Sequence, residues 1–363
     1  MNHTLTVNYE GKPAYDIMLQ PDFTALAEAI TSIDMKNRRF MIITDSTVSS
    51  FYLHECTAIL QTIAKTVLSF VFPAGEKSKN LDTINECYEK LIQSGFDRND
   101  VLVALGGGVA GDMTGFAAAT YLRGIRFIQI PTSLLAMVDS SIGGKTGVDF
   151  KAYKNMVGAF HQPKLVYMNL ATLNSLKDSE FFSGMGEIIK HGLIKDKIYY
   201  QWLKDHTAQI LKKDYEILRE MIFRSCLIKK AVVEEDPKEQ GERALLNFGH
   251  TIGHSVEKLM NFQLLHGECV CIGMAAASYL SLKRGFLREE DYEDILSVIK
   301  SFRQPVQVSG PDCDQIYSIT RLDKKMDNDA IKFILLQNIG HAIIDKTVTQ
   351  TEMINAIQTI LIL

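Results

Sequence analysis

The sequence predicts an α/β N-terminal domain, with a Rossmann-like parallel sheet and a non-standard nucleotide motif, followed by a mostly α-helical C-terminal domain. Short apolar runs alternate with helical patterns in the first half, which is typical of βαβ units and a parallel sheet. Long helical patterns follow one another after about Leu173. The length of 363 residues also suits two domains, since one domain takes ~150 residues. We therefore predict a boundary near Asn174, with domains 1–174 and 175–363.

In the first half, short runs rich in apolar and β-branched residues end at turn residues, which predicts strands. These runs are Arg39–Thr44, Thr66–Phe72, Val101–Leu105, Ile125–Ile130 and Leu165–Met168. Apolar residues at helical spacing predict helices near Phe51–Ala64, Asn80–Gly95 and Val109–Tyr121. Helices between strands are the crossover connections that a parallel sheet requires.

The second half has a different character, because helical patterns dominate it. They predict helices over Ser179–Ile194, Ile210–Glu235, Ala244–Met260, Gly267–Arg284 and Glu289–Ser301. The exception is a pair of short apolar runs, Ile331–Gln337 and His341–Asp345, joined through Asn338-Ile339-Gly340. A glycine-containing turn between two such runs predicts a β-hairpin.

Composition excludes several classes of function. The chain is 46% apolar and 23% charged and carries a net charge of −4, so no overall field attracts nucleic acid or an anionic membrane. No apolar run approaches the ~20 residues that span a bilayer. The N-terminus lacks a basic stretch followed by an apolar one, so we expect no secretory signal. The six cysteines are scattered without a C-x-x-C motif, and we expect reduced thiols and a cytoplasmic protein.

A glycine-rich turn follows the strand predicted at Val101–Leu105. Gly106, Gly108 and Gly111 have the G-x-G-x-x-G spacing of a nucleotide-binding turn. Glycines let backbone N–H groups approach a diphosphate, and the helix N-terminus adds a partial positive charge. Glycine-rich turns of this kind also occur for packing reasons, so a nucleotide site and a structural turn both remain open.

Two features depart from the ordinary Rossmann arrangement. The glycine turn follows a later strand and not the first one. The next strand, Ile125–Ile130, ends in Pro131-Thr132-Ser133, without the acidic residue that binds a ribose. Asp45, at the end of an earlier strand, could bind the ribose or cap the following helix.

A second polar, glycine-rich loop is predicted over Asp139–Asp149. It contains Gly144-Lys145-Thr146, but the fixed spacing of an ATP-binding P-loop is absent. We interpret Lys145 as a point charge in an anion site, with a solvated surface loop as the alternative. Lys154-Asn155 lies in a further turn. Gly75–Lys79 could form another polar edge of a cleft, or Ser78 could cap a helix.

Histidines are concentrated in one window of the helical half. His250 and His254 are spaced i, i+4, on one face of a helix, and His266 follows shortly. Flanking glycines are expected to leave room for an approaching group. Imidazoles that converge on one point suggest a transition metal, most often zinc.

Another helix offers a carboxylate ligand. Glu187 precedes Lys190 by three residues and His191 by four, which also fits an ordinary polar pair on a helix. Spacing alone does not decide which of Glu187, His191 and the three clustered histidines are ligands. Arg243 and Asn247, at i, i+4, precede the histidine helix and could face the same site, although they follow a charged run typical of a solvated loop.

Together, these motifs resemble the 3-dehydroquinate synthase family of sugar-phosphate cyclases. The resemblance runs from about Gly75 to Gly340. It covers GEKSK, LGGGVAGDMTGFAAATYLRG, IPTSLLAMVDSSIGGKTGVD, KNMVGAF, GMGEIIKHGLI, LLNFGHTIGH, LHGECV and DKK near Lys324. Glycerol-dehydrogenase-like enzymes and other cyclases share the fold, but the SSIGGKTGVD and KN segments resemble this family and not those relatives.

The resemblance implies a role for each motif. It implies zinc or cobalt bound by Glu187, His250 and His266, with His254 as an acid/base group nearby. It implies NAD bound by Asp45, Glu76, Lys79, Gly107, Gly108, Val109, Asp112, Thr132, Ser133, Lys145, Lys154 and Thr172. It implies substrate contacts from Arg123, Asp139, Lys145, Lys154, Asn155, Lys190, Lys229, Glu239, Arg243, Asn247 and either Lys324 or Lys325. His191 stands where many relatives carry tyrosine, which suggests that it is not a ligand.

The family reaction converts 3-deoxy-D-arabino-heptulosonate 7-phosphate to 3-dehydroquinate and phosphate. The resemblance implies transient oxidation by NAD, phosphate elimination, re-reduction, ring opening and aldol closure, and a homodimer without nucleic-acid or membrane partners. Lys and Arg from separate segments suit a substrate with a carboxylate and a phosphate. The alternatives are a related sugar-phosphate cyclase, a metal-dependent polyol dehydrogenase that accumulates NADH, and a non-catalytic binding protein.

Overall fold

The computed structural model describes residues 4–151, 153–261, 263–324 and 331–362. The chain divides into two compact units, Met1–Leu176 and Lys177–Leu363. The first contains most of the strands, and the second is mostly helical. These contents confirm the predicted fold class.

The first unit alternates strands and helices. Its strands are β1 (Thr4–Tyr9), β2 (Lys12–Gln20), β3 (Arg39–Asp45), β4 (Thr66–Phe72), β5 (Val101–Gly106), β6 (Arg126–Pro131), β7 (Lys145–Phe150), β8 (Tyr153–Phe160) and β9 (Leu165–Asn169). Its helices are α1 (Leu26–Ser32), α2 (Ser46–Val48), α3 (His54–Gln61), α4 (Leu81–Gln93) and α5 (Gly108–Thr120). Short 3₁₀ segments cover Glu76–Ser78, Tyr121–Arg123 and Leu170–Asn174, and single π-turns cover Ser49–Leu53 and Ala136–Ser140.

The main sheet has seven strands in the order β1-β2-β9-β6-β5-β3-β4. All neighbours are parallel except β1 and β2. Side chains along a strand alternate between its two faces. Met41 and Ile43 therefore join one apolar cluster, whereas Phe40 and Ile42 join the other. Both faces of the sheet are covered at its centre, which explains why the inner strands β3, β5, β6 and β9 are buried along most of their length.

Two hairpins of this unit were not predicted from the sequence. The first, β1–β2, turns at Glu10-Gly11 and adds an antiparallel edge to the sheet. The second, β7–β8, replaces part of the loop that we predicted over Asp139–Asp149, and that prediction is wrong from Lys145 onward. Its ladder forms because Gly147 and Gly158 face each other, so the two backbones approach closely.

The second unit contains nine α-helices in its described part. The helices are α6 (Asp178–Lys195), α7 (Lys197–Asp205), α8 (Thr207–Leu211), α9 (Tyr215–Glu235), α10 (His250–Leu259), α11 (His266–Lys283), α12 (Glu289–Ser301), α13 (Cys313–Lys324) and α14 (Gln350–Thr359). A hairpin of β10 (Phe333–Asn338) and β11 (His341–Asp345) confirms the predicted one. No helix within the described ranges has both the length and the apolar character needed to cross a membrane.

Two helices predicted as continuous are interrupted. The helix predicted over Ile210–Glu235 breaks because Lys213 has a left-handed backbone and Asp214 caps the start of α9. The helix predicted from Ala244 begins instead at His250, after Gly249 with φ of +82°. Its first part is a 3₁₀ segment, Glu242–Asn247.

Candidate active site

Glu187, His250 and His266 come together although they lie on three different helices, α6, α10 and α11. The Oε1 atom of Glu187 is 3.7 Å from His250 Nε2 and 3.5 Å from His266 Nε2. One potential ligand atom from each residue lies within 4.8 Å of the others. One carboxylate and two imidazoles form a common donor set of catalytic zinc sites.

The burial of Glu187 tests whether these residues suit a cation. Its side chain has no exposed surface. The Lys190 ammonium forms an ion pair with Oε2, but neither oxygen accepts a hydrogen bond of normal geometry from the described part of the chain. A buried carboxylate is costly unless it is paired or coordinates a metal. The residues present therefore fit a divalent metal.

Burial and neighbouring charges together set the pKa values of these three groups. Burial would raise the pKa of Glu187, but the Lys190 ammonium, His266 and His250 lower it well below its ordinary value. Burial, reinforced by Lys190, lowers the pKa of His250. Burial also opposes charging of His266, yet its contacts with Glu187 and Glu257 raise its pKa to about 9. These directions favour the deprotonated forms of Glu187 and His250, whereas His266 must release a proton when it binds a metal.

The glycines beside the ligands serve close helix packing. We expected from the sequence that they leave room for an approaching group, and this reason is wrong. A Cβ on Gly267 would lie 1.8 Å from the backbone oxygen of Ser183, and one on Gly249 would lie 2.6 Å from that of Val270. Neighbouring backbone fills the space, and this close approach brings three helices to one point.

Both candidate imidazole ligands have a second polar partner. His250 Nδ1 lies 3.2 Å from the carbonyl oxygen of Phe248, and His266 Nδ1 lies 3.8 Å from Glu257 Oε1. Glu257 was missed in the sequence, although its spacing of i+7 from His250 is a usable signal. Glu268 accepts from the Leu265 N–H at 2.7 Å and so defines the start of α11 at His266.

The two remaining histidines of the motif have different surroundings. The exposed His254 has its ring centroid 5.0 Å from that of His250 and 6.0 Å from that of His266. A second grouping that could hold an ion is His254, Glu257 and His266. His191 is fully buried and its Nδ1 lies 2.7 Å from Ser225 Oγ, so it forms part of the packing between α6 and α9.

The loop before α10 is organised by Asp236, which the sequence did not single out. Its carboxylate accepts from three backbone N–H groups of the loop that follows, at 2.7–3.1 Å. Glu239 accepts from Asn247 Nδ2 at 2.8 Å, and Arg243 Nη1 donates to the Pro237 carbonyl at 2.7 Å. The structure therefore brings these three predicted substrate residues into one loop.

Positively charged side chains are buried in this loop and in the helices beside it. Arg243 is 2% exposed, and Lys229 on α9 is 5% exposed. The segment Glu242–Asn247 packs against both α6 and α9. Lys190 on α6 is also buried. Three buried cations on adjoining elements are suited to binding an anion.

In the first unit, the predicted nucleotide residues lie at the carboxyl ends of neighbouring strands β3, β5 and β6. The sheet order reverses between β3 and β5, the position at which open α/β sheets bind ligands. Asp45 caps α2 by accepting from two backbone N–H groups at 2.8 and 3.0 Å, so the capping alternative is confirmed. A Cβ on Gly111 would lie 2.8 Å from Gln129 Oε1, which gives that glycine a packing role.

A polar cluster surrounds Lys79, which is 5% exposed. Its ammonium donates to Asp112 Oδ2 at 2.7 Å and to Asn155 Oδ1 at 2.5 Å. Glu76 Oε1 lies 3.9 Å from both Lys79 Nζ and Lys154 Nζ. Burial would lower the pKa of Lys79, but Asp112 and Glu76 raise it above its ordinary value. Five predicted site residues thus form one network of ion pairs and hydrogen bonds.

The other predicted residues are more dispersed. Arg123 is exposed at a left-handed turn, Lys145 is exposed at the start of β7, and Asp139 is half-buried in a π-turn. Thr172 is buried, and its hydroxyl donates to the Asn169 carbonyl at 2.7 Å, which is a structural contact.

Further predictions concern single positions. Ser78 does not cap a helix, because its hydroxyl donates to Pro73 while Asn80 caps α4. Thr132 is buried, and the backbone N–H of Ala136 donates to Ser133 Oγ at 3.3 Å. Lys324 ends α13, but its side chain and all of Lys325 lie outside the described residues.

Known protein families match most of the chain, in two consecutive segments. Residues 69–183 match the family described as 3-dehydroquinate synthase N-terminal, and residues 184–326 match 3-dehydroquinate synthase C-terminal. The chain is 41% identical over 353 residues to a 3-dehydroquinate synthase of Acetivibrio thermocellus, covering 97% of this chain and 98% of that protein. It is 41% identical over 352 residues to that of Ruminiclostridium cellulolyticum, covering 97% of each.

Solved structures of other cyclases share the fold. A 2-epi-5-epi-valiolone synthase from Streptomyces hygroscopicus subsp. jinggangensis, with NAD+ and Zn2+ bound, superposes with a TM-score of 0.89 at 30% identity, covering 98% of this chain and 99% of that one. A 2-deoxy-scyllo-inosose synthase complexed with carbaglucose-6-phosphate, NAD+ and Co2+ gives a TM-score of 0.88 at 25% identity, with the same coverage.

Proposed function

The chain belongs to the 3-dehydroquinate synthase family, and on that premise we propose which of its residues hold the metal, the cofactor and the substrate. Its activity is that of a 3-dehydroquinate synthase, a phosphate-eliminating lyase of the shikimate pathway. The observation that carries the assignment of residues is the convergence of Glu187, His250 and His266 around one point.

The metal site uses Glu187 and the Nε2 atoms of His250 and His266, with zinc or cobalt as the ion. The support is the buried carboxylate, whose oxygens face two imidazoles at 3.5 and 3.7 Å. Three protein ligands leave a coordination position for the substrate, as catalytic zinc sites require. A related cyclase with Zn2+ bound and another with Co2+ bound agree with either ion.

NAD binds at the carboxyl ends of β3, β5 and β6 in the first unit. The Gly107-Gly108-Val109 turn lies at the N-terminus of α5, where backbone N–H groups and the helix dipole favour a diphosphate. Asp45 and the Thr132-Ser133 turn flank this position on adjoining strands. Lys79, held between Asp112 and Asn155, keeps the neighbouring polar segments in place. Thr172 remains a proposed cofactor residue, and the hydrogen bond from its hydroxyl to the Asn169 carbonyl fixes its orientation.

The substrate is a sugar phosphate, and we propose 3-deoxy-D-arabino-heptulosonate 7-phosphate. Its carboxylate and phosphate require several cations, and a chain with a net charge of −4 must supply them locally. The candidates are Arg123, Lys145, Lys154, Lys190, Lys229, Arg243 and Lys324 or Lys325. Asp139, Asn155, Glu239 and Asn247 add hydrogen-bonding groups for the substrate hydroxyls. The Glu239–Asn247 bond already fixes the orientation of two of them.

The residues of the chain position the substrate and move protons. Glu187, His250 and His266 would hold a metal able to polarise the hydroxyl to be oxidised, and bound NAD would supply reversible hydride transfer, so that the reaction would have no net redox change. His254, exposed beside His250, can take or give the proton of a reacting hydroxyl at its imidazole nitrogen. Lys190, ion-paired with Glu187, adds positive charge where an oxyanion forms.

A phosphate-release assay tests this function. The full-length protein is incubated with the heptulosonate phosphate, with and without NAD and a metal chelator. We expect release of inorganic phosphate that needs both NAD and metal, without lasting absorbance from NADH. Steady accumulation of NADH without phosphate would indicate a polyol dehydrogenase. Turnover that survives complete metal removal would contradict the metal assignment.

We also propose that the protein is a cytoplasmic homodimer. Outer strand β8 exposes Tyr153, Met156 and Phe160, and exposed apolar strands are typical of interaction sites. None of the six cysteines, all within the described residues, forms a disulfide, which suits a reducing compartment. Light scattering during gel filtration should give the mass of two chains for the unmodified protein. The Met156→Lys variant should give a lower mass, because the new charge weakens the contact between the two chains. A single-chain mass for the unmodified protein would exclude the dimer.

A further inference from the structure

Glu257 is a buried carboxylate that no step above requires. It lies on α10 and is 4% exposed. His250, His254 and Glu257 occur at i, i+4 and i+7 on this helix, so they share one face. That face is directed toward the start of α11, where His266 lies.

The His266 ring lies between two carboxylates. Its Nε2 atom is 3.5 Å from Glu187 Oε1, and its Nδ1 atom is 3.8 Å from Glu257 Oε1. The first distance belongs to the candidate metal site. The second is an ion-pair separation on the opposite side of the ring. The two carboxylates therefore approach the two nitrogens of one imidazole.

The other imidazole ligand is arranged differently. His250 Nδ1 faces the backbone carbonyl of Phe248 at 3.2 Å. A carbonyl can orient a ring, but it carries no charge. Both histidines thus direct Nε2 at Glu187. Among the described residues, a carboxylate lies near Nδ1 of His266, whereas a backbone carbonyl lies near Nδ1 of His250.

The chemistry of imidazole explains why this difference matters. A neutral imidazole that binds a metal through Nε2 carries its proton on Nδ1. A carboxylate that accepts this proton in a hydrogen bond fixes the tautomer and makes the ligand nitrogen more basic. The 3.8 Å separation must shorten by about 1 Å for such a bond, so the inference requires the two side chains to approach each other when the metal binds.

We propose that Glu257 is a positioning residue of the metal site, whose carboxylate holds His266 with Nε2 directed at Glu187 and so strengthens metal binding. This inference rests on the metal site of the proposed function. It assigns Glu257 neither a metal bond nor a contact with substrate.

The test compares metal affinity among four forms of the full-length protein. Zinc affinity is measured by competition with a chromophoric chelator for the wild type, Glu257→Gln, Glu187→Gln and Glu290→Gln. Glu290 is the matched control, because the same charge is removed from an exposed residue of α12. We expect ~10–100-fold weaker binding for Glu257→Gln and an unchanged value for Glu290→Gln. The absorption bands of the Co2+-loaded protein should also shift in Glu257→Gln alone.

Two results would overturn the inference. Affinity within about twofold of wild type, far below the loss typical of an outer partner, would show that Glu257 is only structural, even if the metal-free protein were less stable. A loss as large as that of Glu187→Gln would show that Glu257 is itself a ligand, as the His254–Glu257–His266 grouping allows. If Glu257→Gln does not fold, Glu257→Asp is measured by the same criteria.

The same series separates this inference from the proposed function. If the wild type bound no zinc, or if Glu187→Gln left the affinity unchanged, the metal site itself would be wrong. If Glu187→Gln lost zinc while Glu257→Gln kept it, only the role of Glu257 would fail.

Discussion

At the residue scale, Glu187 fits both interpretations that the sequence left open, a polar pair on a helix and a metal ligand. The spacing to Lys190 suggested an ordinary polar pair on a helix, and the structure contains that ion pair. The same carboxylate also faces two imidazoles from other helices. A fully buried charge with one cationic neighbour is better explained by a site for a second cation than by helix stability alone.

Replacing His250 tests the metal site at this scale. His250→Ala removes one of three ligands, and we expect metal affinity to fall by more than the ~10–100-fold typical of losing an outer partner. Phosphate release should disappear with the metal. Metal content after dialysis and the rate of phosphate release measure both effects. His341→Ala, an exposed histidine of the same unit, should keep both, and a metal-free but active His250→Ala protein would refute the assignment.

At the element scale, the site depends on how closely three helices approach. The start of α11 packs on α6 through Gly267, and the start of α10 packs on α11 through Gly249. Sequence periodicity located these helices but not their breaks. The interruptions at Lys213 and Gly249 come from left-handed backbone conformations that apolar patterns do not report.

Gly267→Ala tests this packing. The new Cβ would lie 1.8 Å from the Ser183 backbone oxygen, so α6 and α11 must separate. We expect the free energy of unfolding to fall by about 3 kcal/mol and the metal affinity to fall with it, because Glu187 and His266 move apart. Urea denaturation and metal titration measure the two effects. Lys283→Ala, on the exposed side of α11, is the control, and equal stability of both variants would argue against the close contact.

A second link between elements depends on pH. Arg284, after α11, binds Glu352 of α14 through two hydrogen bonds of 2.9 Å. Hydrogen bonding from Arg284 is the largest contribution that lowers the pKa of Glu352, from 4.5 to about 2. A carboxyl whose pKa is lower when folded stabilises the protein above the unfolded pKa. This stabilisation is lost as pH falls from about 4.5 toward 2.

Glu352→Gln should therefore be less stable than wild type at pH 7 by about 1 kcal/mol, a value reduced for solvent screening. The difference should shrink as the pH is lowered below about 4.5, where the wild-type carboxyl begins to lose its advantage. Urea midpoints at several pH values measure this trend. A difference that grows on acidification would have the wrong sign and would exclude this ion pair as the cause.

At the scale of the whole molecule, the two units carry different sets of candidate residues. The first holds the candidate NAD residues on a parallel sheet, and the second holds the candidate metal residues on helices. Substrate candidates come from both: Arg123 and Lys145 belong to the first unit, whereas Lys229 and Arg243 belong to the second. Activity should therefore require both units in one chain.

Hydrogen exchange measured on the intact protein should show which elements bind zinc and which bind NAD. Zinc should protect amides of α6, α10 and α11, and NAD should protect the turns after β3, β5 and β6, because bound ligands stabilise the elements they contact. At a hundred times its dissociation constant, each ligand adds ~2.7 kcal/mol. Mass spectrometry of peptides from each unit measures the effect. Protection of the β3, β5 and β6 turns by zinc alone would contradict the division.

The fold class, the family and most candidate residues could be inferred from the amino-acid sequence, because they depend on apolar periodicity and on motifs that are local in the chain. Which of these residues meet is visible only in the folded protein. Glu187 is distant along the chain from His250 and His266, and Glu257 and Asp236 stand in no recognised motif. Their roles depend on the distance between helices, which is set by backbone contacts at residues such as Gly267, and no local pattern encodes such a distance.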